Sequence, residues 1–556
     1  MTHNVYALAR VAFRLAAVWI IDVVSLLVTA ALFPGINLRD VDGASGLTVA
    51  VAAALLLGVI NLLIRPLILL LALPLGFFVV FGVGFLVNAL VLMITSALLP
   101  GFEVVSFLDA LLGGLILSAV NTAITSLVTL DDDDSFYQGV VERLAARQPF
   151  EGQERDKRGL VMLEIDGLSY WHLTKALQDG WMPEVARMIR EDGYVLSRVD
   201  CGLPSQTSAC QSGILFGDNY DIPAFRWLDK RQNKLYVSGK DAPALNARYA
   251  RGGGLLRGGS SINNMMDGDA RKSLLTLSNV RSGAPEERRR RAEDIYLLML
   301  NPYFFTRILV LMAGDVVREL WEGWQQRRRN VQPRLDRLHK AYPILRAATT
   351  VFMRDVAAYL AVLDIVRGSP SIYLTYPGYD EVAHHSGPWT EDAFRTLRQY
   401  DRVIARIRDV MARKAPRPYE LILLSDHGQS FGATFLQRYG MDLKEFIERQ
   451  LPGGTSVVQT AGGDDGTIAV ASMSGELDNL REQQVAGAVG ARVAGQTQKW
   501  LDRAIEQQPS AQPVAPARVT VCGSGNIAQV YFDLLPDKIG LSEFHRTYPG
   551  LVEALV

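Results

Sequence analysis

The first 130 residues constrain this chain most. They contain four apolar runs, at roughly 11–33, 46–64, 75–99 and 106–130. Each approaches or exceeds the ~20 residues that a helix needs to cross ~30 Å of hydrocarbon. The breaks between them are turn-like: Phe33-Pro34-Gly35, Arg65-Pro66, Leu73-Pro74 and Pro100-Gly101. The stretch 67–74 is too short to span, and reads as interfacial or re-entrant. Soluble cores do not supply four such runs in succession, so the pattern predicts an N-terminal transmembrane helix bundle of about four spans, residues 1–130. The first run lacks a clear small-residue cleavage site and three more follow it, which argues for retention rather than removal as a signal.

Polar residues inside the runs are few. Asp22 lies in the first, and Asn61, Asn88 and Asn121 lie in the others, near Gly58, Gly84, Gly113 and Gly114. Amides bond across helices and small residues let helices approach. An intramembrane carboxylate also suits a proton or solute path, so Asp22 carries both readings. Four spans leave both ends on one side, with Arg10, Arg14 and Arg65 against Arg39 opposite. The excess of basic residues leans toward a cell-membrane, multi-pass protein with its soluble part in the cytoplasm.

Beyond residue 130 the composition changes to that of an ordinary soluble domain, rich in Arg, Asp and Glu. The whole chain has 556 residues, 49% hydrophobic, and a net charge of -1. No global field favours a nucleic-acid partner. Three cysteines, Cys201, Cys210 and Cys522, form neither a disulfide framework nor a zinc knuckle. Residues 131–158, opening on Asp131 to Asp134, read as a linker with a short helix. Gly159 to Ile165 then forms an apolar run ending in Asp166-Gly167, with a helix expected near 181–192. The same form recurs at Ser371–Tyr376 and at Leu421–Leu424, the latter followed by Ser425-Asp426-His427. Strands alternating with helices predict an α/β sheet covered by helices on both faces, and such sheets bind ligands at the carboxyl ends of their strands.

Those ends carry the chemistry. Asp166 follows the first strand. Asp380 and His384 are spaced i, i+4 and share a helix face. Asp426 and His427 follow the third strand, with Gly428 free to turn. Five N/O ligands at strand ends suit zinc or a similar divalent ion. Two such ions can clamp the attacking and leaving oxygens of a phosphoryl transfer. The segment Pro204-Ser205-Gln206-Thr207-Ser208 supplies hydroxyls for a nucleophile, or caps for a helix whose N-terminus favours phosphate.

Residues 159–228 and 371–432 resemble the type I phosphodiesterase/nucleotide pyrophosphatase branch of the alkaline-phosphatase superfamily. The resemblance rests on Glu164-Ile165-Asp166-Gly167, Pro204-Ser205-Gln206-Thr207, Asp380 and His384 with Gly387-Pro388, and Ser425-Asp426-His427-Gly428. It implies an alkaline-phosphatase-like sheet, two zinc ions and Thr207 as nucleophile. It gives Asp166, Thr207, Asp426 and His427 to one zinc, and Asp380 and His384 to the other. Sulfatases, with Cys-x-Pro-x-Arg, fit less well, because the segment from Cys201 to Gln206 has an extra residue and no Arg. The family's second zinc takes a further His followed by Gly. No such pair follows His427, and His545 precedes Arg546; a C-terminal truncation is therefore expected, with that ligand beyond residue 556. Nucleotide-cleaving members also place an Asn after the nucleophile. Here the segment reads Ile222-Pro223-Ala224-Phe225-Arg226-Trp227, so Arg226 is expected to bind the phosphoryl group, which points away from a nucleotide substrate. The apolar N-terminal region, through Gly58-Val59-Ile60-Asn61 to Arg65-Pro66 and Leu86-Val87-Asn88-Ala89-Leu90, resembles a four-span phage-holin-like family. Members of the phosphodiesterase superfamily often act outside the cytoplasm, against the arginine count.

Residues 230–365 separate the motifs and read as an inserted cap within a domain of 159–556. They include Gly252-Gly253-Gly254, Ser260-Ser261-Ile262-Asn263-Asn264, Arg288 to Arg291, and an aromatic helical stretch ending near Arg327 to Arg329. The last could lie on a membrane surface or pack against the domain. The expected function is membrane-anchored, metal-dependent hydrolysis of a phosphodiester or pyrophosphate, with a lipid-linked substrate in keeping with the anchor. Its rivals are phosphotransfer to a lipid or envelope polymer, and a channel or scaffold with an inactive phosphatase-like domain.

Overall fold

The computed structural model describes residues 19–41, 43–72, 77–128, 136–147, 149–150, 156–251, 253–279, 302–338, 342–451, 455–460, 519–533 and 538–556, with scattered positions at 16, 293–294, 297–298 and 300. The acidic run at 131–134, Gly252 and Arg288 to Arg291 lie outside these. The chain forms two compact units. One comprises residues 1–152, 283–314 and 477–495; the other comprises 153–282, 315–476 and 496–556.

In the first unit, helices α1 (Gly46–Ala72), α2 (Phe77–Leu98) and α3 (Phe107–Val128) carry the apolar runs. Gly46–Ile68 and Phe107–Ile124 are long and apolar enough to cross a membrane, and shorter apolar helices occupy Trp19–Leu32 and Leu86–Leu98. Two spans are therefore evident among the described residues, where four runs were expected. A second difference lies at Pro66. The sequence reads as a break there, yet α1 runs through it to Ala72. In a membrane helix the backbone groups freed by a proline can be satisfied by neighbouring helices or local adjustment, so the ring need not end it. Strands β1 (Ile36–Leu38) and β2 (Phe102–Val104) pair antiparallel. Between helices, Asn121 Nδ2 donates to Asp22 Oδ1 (2.8 Å) and Arg65 Nη1 donates to Asn88 Oδ1 (2.6 Å). A Cβ at Gly113 would strike Ile36, so the small residue there permits close packing of the chain.

The second unit is mixed α/β. Its core is β3 (Gly159–Ile165), seven residues that alternate between two flanking strands and are almost wholly buried. Continuous apolar sequence suits a strand covered on both faces. With β6 (Ser260–Ile262), β7 (Lys272–Leu274), β8 (Ser371–Tyr376) and β9 (Tyr419–Leu424), it forms a five-stranded parallel sheet in the order β7-β6-β8-β3-β9. Two of these strands fall within 230–365, so that segment is not simply a cap: it completes one side of the main sheet. The buried Lys272–Asp364 ion pair, with Ser260 Oγ donating to the same carboxylate, fastens β6 and β7 to the helix Arg354–Arg367. A hairpin of β4 (Arg226–Asp229) and β5 (Lys234–Val237) packs Phe225, Trp227 and Tyr236 into the core against Met162, Met265 and Tyr373. A three-stranded sheet, β10 (Val457–Thr460), β11 (Val519–Ser524) and β12 (Ile527–Phe532), is separate in its strand pairing but bonds to the β4 hairpin, where Lys230 Nζ donates to the Phe532 carbonyl (2.7 Å).

Candidate active site

Parallel pairing aligns the carboxyl ends of β3, β8 and β9, and each is followed by acid or imidazole side chains. After β3 the chain turns at Asp166-Gly167. Gly167 has φ +70°, and a Cβ there would collide with the Asp380 carboxylate. Only glycine gives both the left-handed turn and the room. After β8, the helix α4 (Gly378–Ser386) presents Asp380 and His384 on one face; His384 Nε2 lies 3.1 Å from Asp380 Oδ2. His385 faces elsewhere, stacked at 3.7 Å on Tyr342, as the ~100° step between helical neighbours requires.

After β9 the chain bends at Asp426-His427-Gly428. His427 Nδ1 lies 3.1 Å from the Gly428 carbonyl. A carbonyl only accepts, so Nδ1 carries the proton and Nε2 presents its lone pair. Nε2 is 3.1 Å from Thr207 Oγ1, 3.4 Å from Asp166 Oδ1 and 3.7 Å from Asp426 Oδ2. Ligand atoms of Asp166, Asp380 and His427 all lie within 4.8 Å of one another, and all three residues are buried. The donor set is oxygen and imidazole nitrogen, suited to a divalent cation. Burial alone would raise the Asp380 pKa, but His384 and His427, with a hydrogen bond from Gln429, hold its carboxyl well below the usual carboxylate range. Asp426 Oδ2 is buried without a hydrogen-bond partner among the described residues. Carboxylates so crowded and desolvated are costly unless a cation neutralises them, so the residues present fit a metal.

Thr207 opens helix α5 (Thr207–Phe216), buried at its first turn. The turn is fixed from two sides. Gln206 Nε2 donates to the Ser524 carbonyl (2.7 Å), and Gln206 Oε1 accepts from Phe225 N–H. One turn on, Gln211 Nε2 donates to Glu164 Oε1 (2.8 Å) while its Oε1 accepts from Met265 N–H (2.8 Å). Glu164 also accepts from Tyr373 and Thr375. Burial, reinforced by the Asp426 charge, pushes the Glu164 carboxyl up to about 8.

The structure thus brings together Asp166, Thr207, Asp380, His384, Asp426 and His427. Arg226 is buried on the hairpin; its N–H donates to Ser524 Oγ (2.9 Å) and its guanidinium lies 5.3 Å from the Phe225 ring. Sequence reasoning named Glu164 within its motif without giving it a role, and missed Gln211 and Gln429. Gln429 follows the Asp-His-Gly turn, and its Nε2 donates to the Asp380 carbonyl (3.0 Å) and carboxylate. A charged residue inside an otherwise apolar strand was the one available signal for Glu164.

Fold and site define a phosphoric ester hydrolase. The model for type I phosphodiesterase / nucleotide pyrophosphatase matches residues 160–518, and the chain belongs to that family. Residues 13–123 match the model for mycobacterial 4 TMS phage holin, superfamily IV, which together with the apolar helices marks a membrane protein. No curated protein and no solved structure matches the chain.

Proposed function

We propose that this is a multi-pass, membrane-anchored phosphodiesterase or pyrophosphatase in which Thr207 attacks phosphorus between two divalent cations, zinc by the character of the ligands. The observation that carries this is the meeting of Thr207 Oγ1 with His427 Nε2 at 3.1 Å, inside a buried ring of aspartates. Asp166, Asp426 and His427 would hold one ion with Thr207, and Asp380 and His384 the other. Bound there, the ions would acidify the threonine hydroxyl and neutralise charge on the phosphoryl oxygens.

The chain's own groups do the rest. The N-terminus of α5 offers backbone N–H groups and a favourable dipole to the phosphoryl oxygens. Gln206 and Gln211 fix the rotation of that turn, so Thr207 Oγ1 is held for in-line attack. The Thr207 oxygen bonds to phosphorus as the bond to the leaving oxygen breaks, and the threonine proton ends on the leaving alcohol or phosphate. Water then attacks the phosphothreonine, the threonine oxygen regains a proton, and the phosphate product departs. Arg226 is proposed as a phosphoryl contact.

The test is hydrolysis of bis-p-nitrophenyl phosphate by the full chain with added zinc. Thr207→Ala is expected to lower kcat at least ~100-fold with folding unchanged. Turnover undiminished in that variant would overturn the assignment. Adding alcohol acceptors separates hydrolysis from phosphotransfer, since a transferase would yield the phosphorylated alcohol.

A further inference from the structure

Helix α6 (Pro302–Arg328) is polar on the wrong side for a surface helix. Its acids, Asp315, Glu319 and Glu322, point inward and are buried. Arg337 donates to both Glu319 oxygens at 2.7 Å, and Arg346 lies 2.7 Å from Glu322 and 3.3 Å from Asp315. Gly323 lets the Leu338 side chain close against the same inner face. That lattice fixes the helix's rotation. The outer face is then apolar: Val317 is 67% exposed, Leu320 45%, Trp321 56% and Trp324 43%.

Positions 317, 320, 321, 324 and 328 fall on one stripe at helical spacing. Trp321 and Trp324 stack with centroids 5.0 Å apart, and the Arg328 guanidinium lies 5.4 Å from the Trp324 ring. Arg318 and Arg329 are exposed beside them; Arg318 keeps a loose 3.8 Å contact with Asp315, while Arg327 is paired with Asp336. Two exposed indoles rimmed by arginines and without exposed acids on the stripe make a poor water-facing surface.

We propose that this stripe lies in the headgroup layer of a bilayer containing anionic lipid. Three features favour lipid over a protein partner. The chain's own apolar helices hold it at a membrane. Indole rings, apolar with one N–H, concentrate at the boundary between headgroups and acyl chains. Guanidinium groups match lipid phosphates, and each basic group near an anionic surface adds to the attraction. The inward acids also matter: with Asp315, Glu319 and Glu322 neutralised internally, they do not repel that surface.

The test uses the full chain in nanodiscs containing phosphatidylglycerol. The fluorescence difference between wild type and a Trp321→Phe/Trp324→Phe variant isolates the two indoles from the other tryptophans. Both sites are exposed and the replacements aromatic, so folding should be unaffected. Acyl-brominated lipid is expected to quench more than half of that difference, with iodide in the water quenching little. Replacing phosphatidylglycerol by phosphatidylcholine is expected to cut the lipid quenching about twofold. Strong iodide quenching without lipid quenching would overturn the proposal by placing the indoles in water. Shielding from both quenchers would overturn it in favour of a protein partner, and equal quenching in both lipids would overturn the anionic assignment.

Discussion

His172 shows how much a single side chain can bias this protein toward neutral pH. It is buried, with its ring edge-on to Trp389 at 4.3 Å, and burial holds its pKa down to about 4 from an ordinary 6.5. The folded protein therefore binds fewer protons than the unfolded chain between those values. The stability contributed by the neutral ring is complete above pH 6.5 and is lost as pH falls toward 4. His172→Phe keeps an aromatic ring beside Trp389 and removes the titration. We expect thermal melts at pH 7 and 4.5 to differ less in the variant, by roughly 1–2 kcal/mol; an unchanged pH dependence would exclude this role. Nothing in the sequence marks His172, because its desolvation comes from residues far along the chain. Asp166, Asp426 and His427 were legible for the opposite reason: they follow directly on apolar strands, and strand ends are where such sheets place their chemistry. Glu164 and Gln211 were not, since their partners are set by tertiary packing.

At the level of elements, the spacing of Asp380 and His384 foretold a helix with both on one face, and α4 is that helix. Pro66 misled, because a proline rule drawn from soluble helices does not hold inside α1. The strands β6 and β7 were hidden too. At three residues each they are too short for alternation to declare itself. The acid lattice beneath α6 makes a prediction of its own. Arg346 contacts Asp315, Glu319 and Glu322 in a buried setting. Arg346→Met should cost about 3–5 kcal/mol, since it strands buried carboxylates that Arg337, with the longer contacts of Arg318 and Arg395, cannot satisfy. Chemical denaturation of the full chain would measure it, and a loss below about 1 kcal/mol would show that the lattice relaxes or takes up protons.

For the whole molecule, the proposed cation site would make metal binding and folding of the catalytic unit one equilibrium. The aspartates around His427 are gathered from segments that meet only in the folded state. Stripping metal with a chelator should lower the unfolding midpoint of that unit in calorimetry, and zinc at about 100 times its Kd should restore roughly 2.7 kcal/mol. A midpoint indifferent to both would mean that the cluster holds no ion.

The same sheet sets a schedule for synthesis. Its strand β3 leaves the ribosome before either neighbour, and β8 and β9 follow at Ser371 and Tyr419. About 200 residues must be made after β3 before its first partner exists, which at ~5–20 residues per second is roughly 10–40 s. During that interval an apolar strand waits with two open edges. Folding of the enzyme half is thus a late event in the life of the nascent chain, and the ribosome-bound intermediate is where holdase chaperones would be most needed.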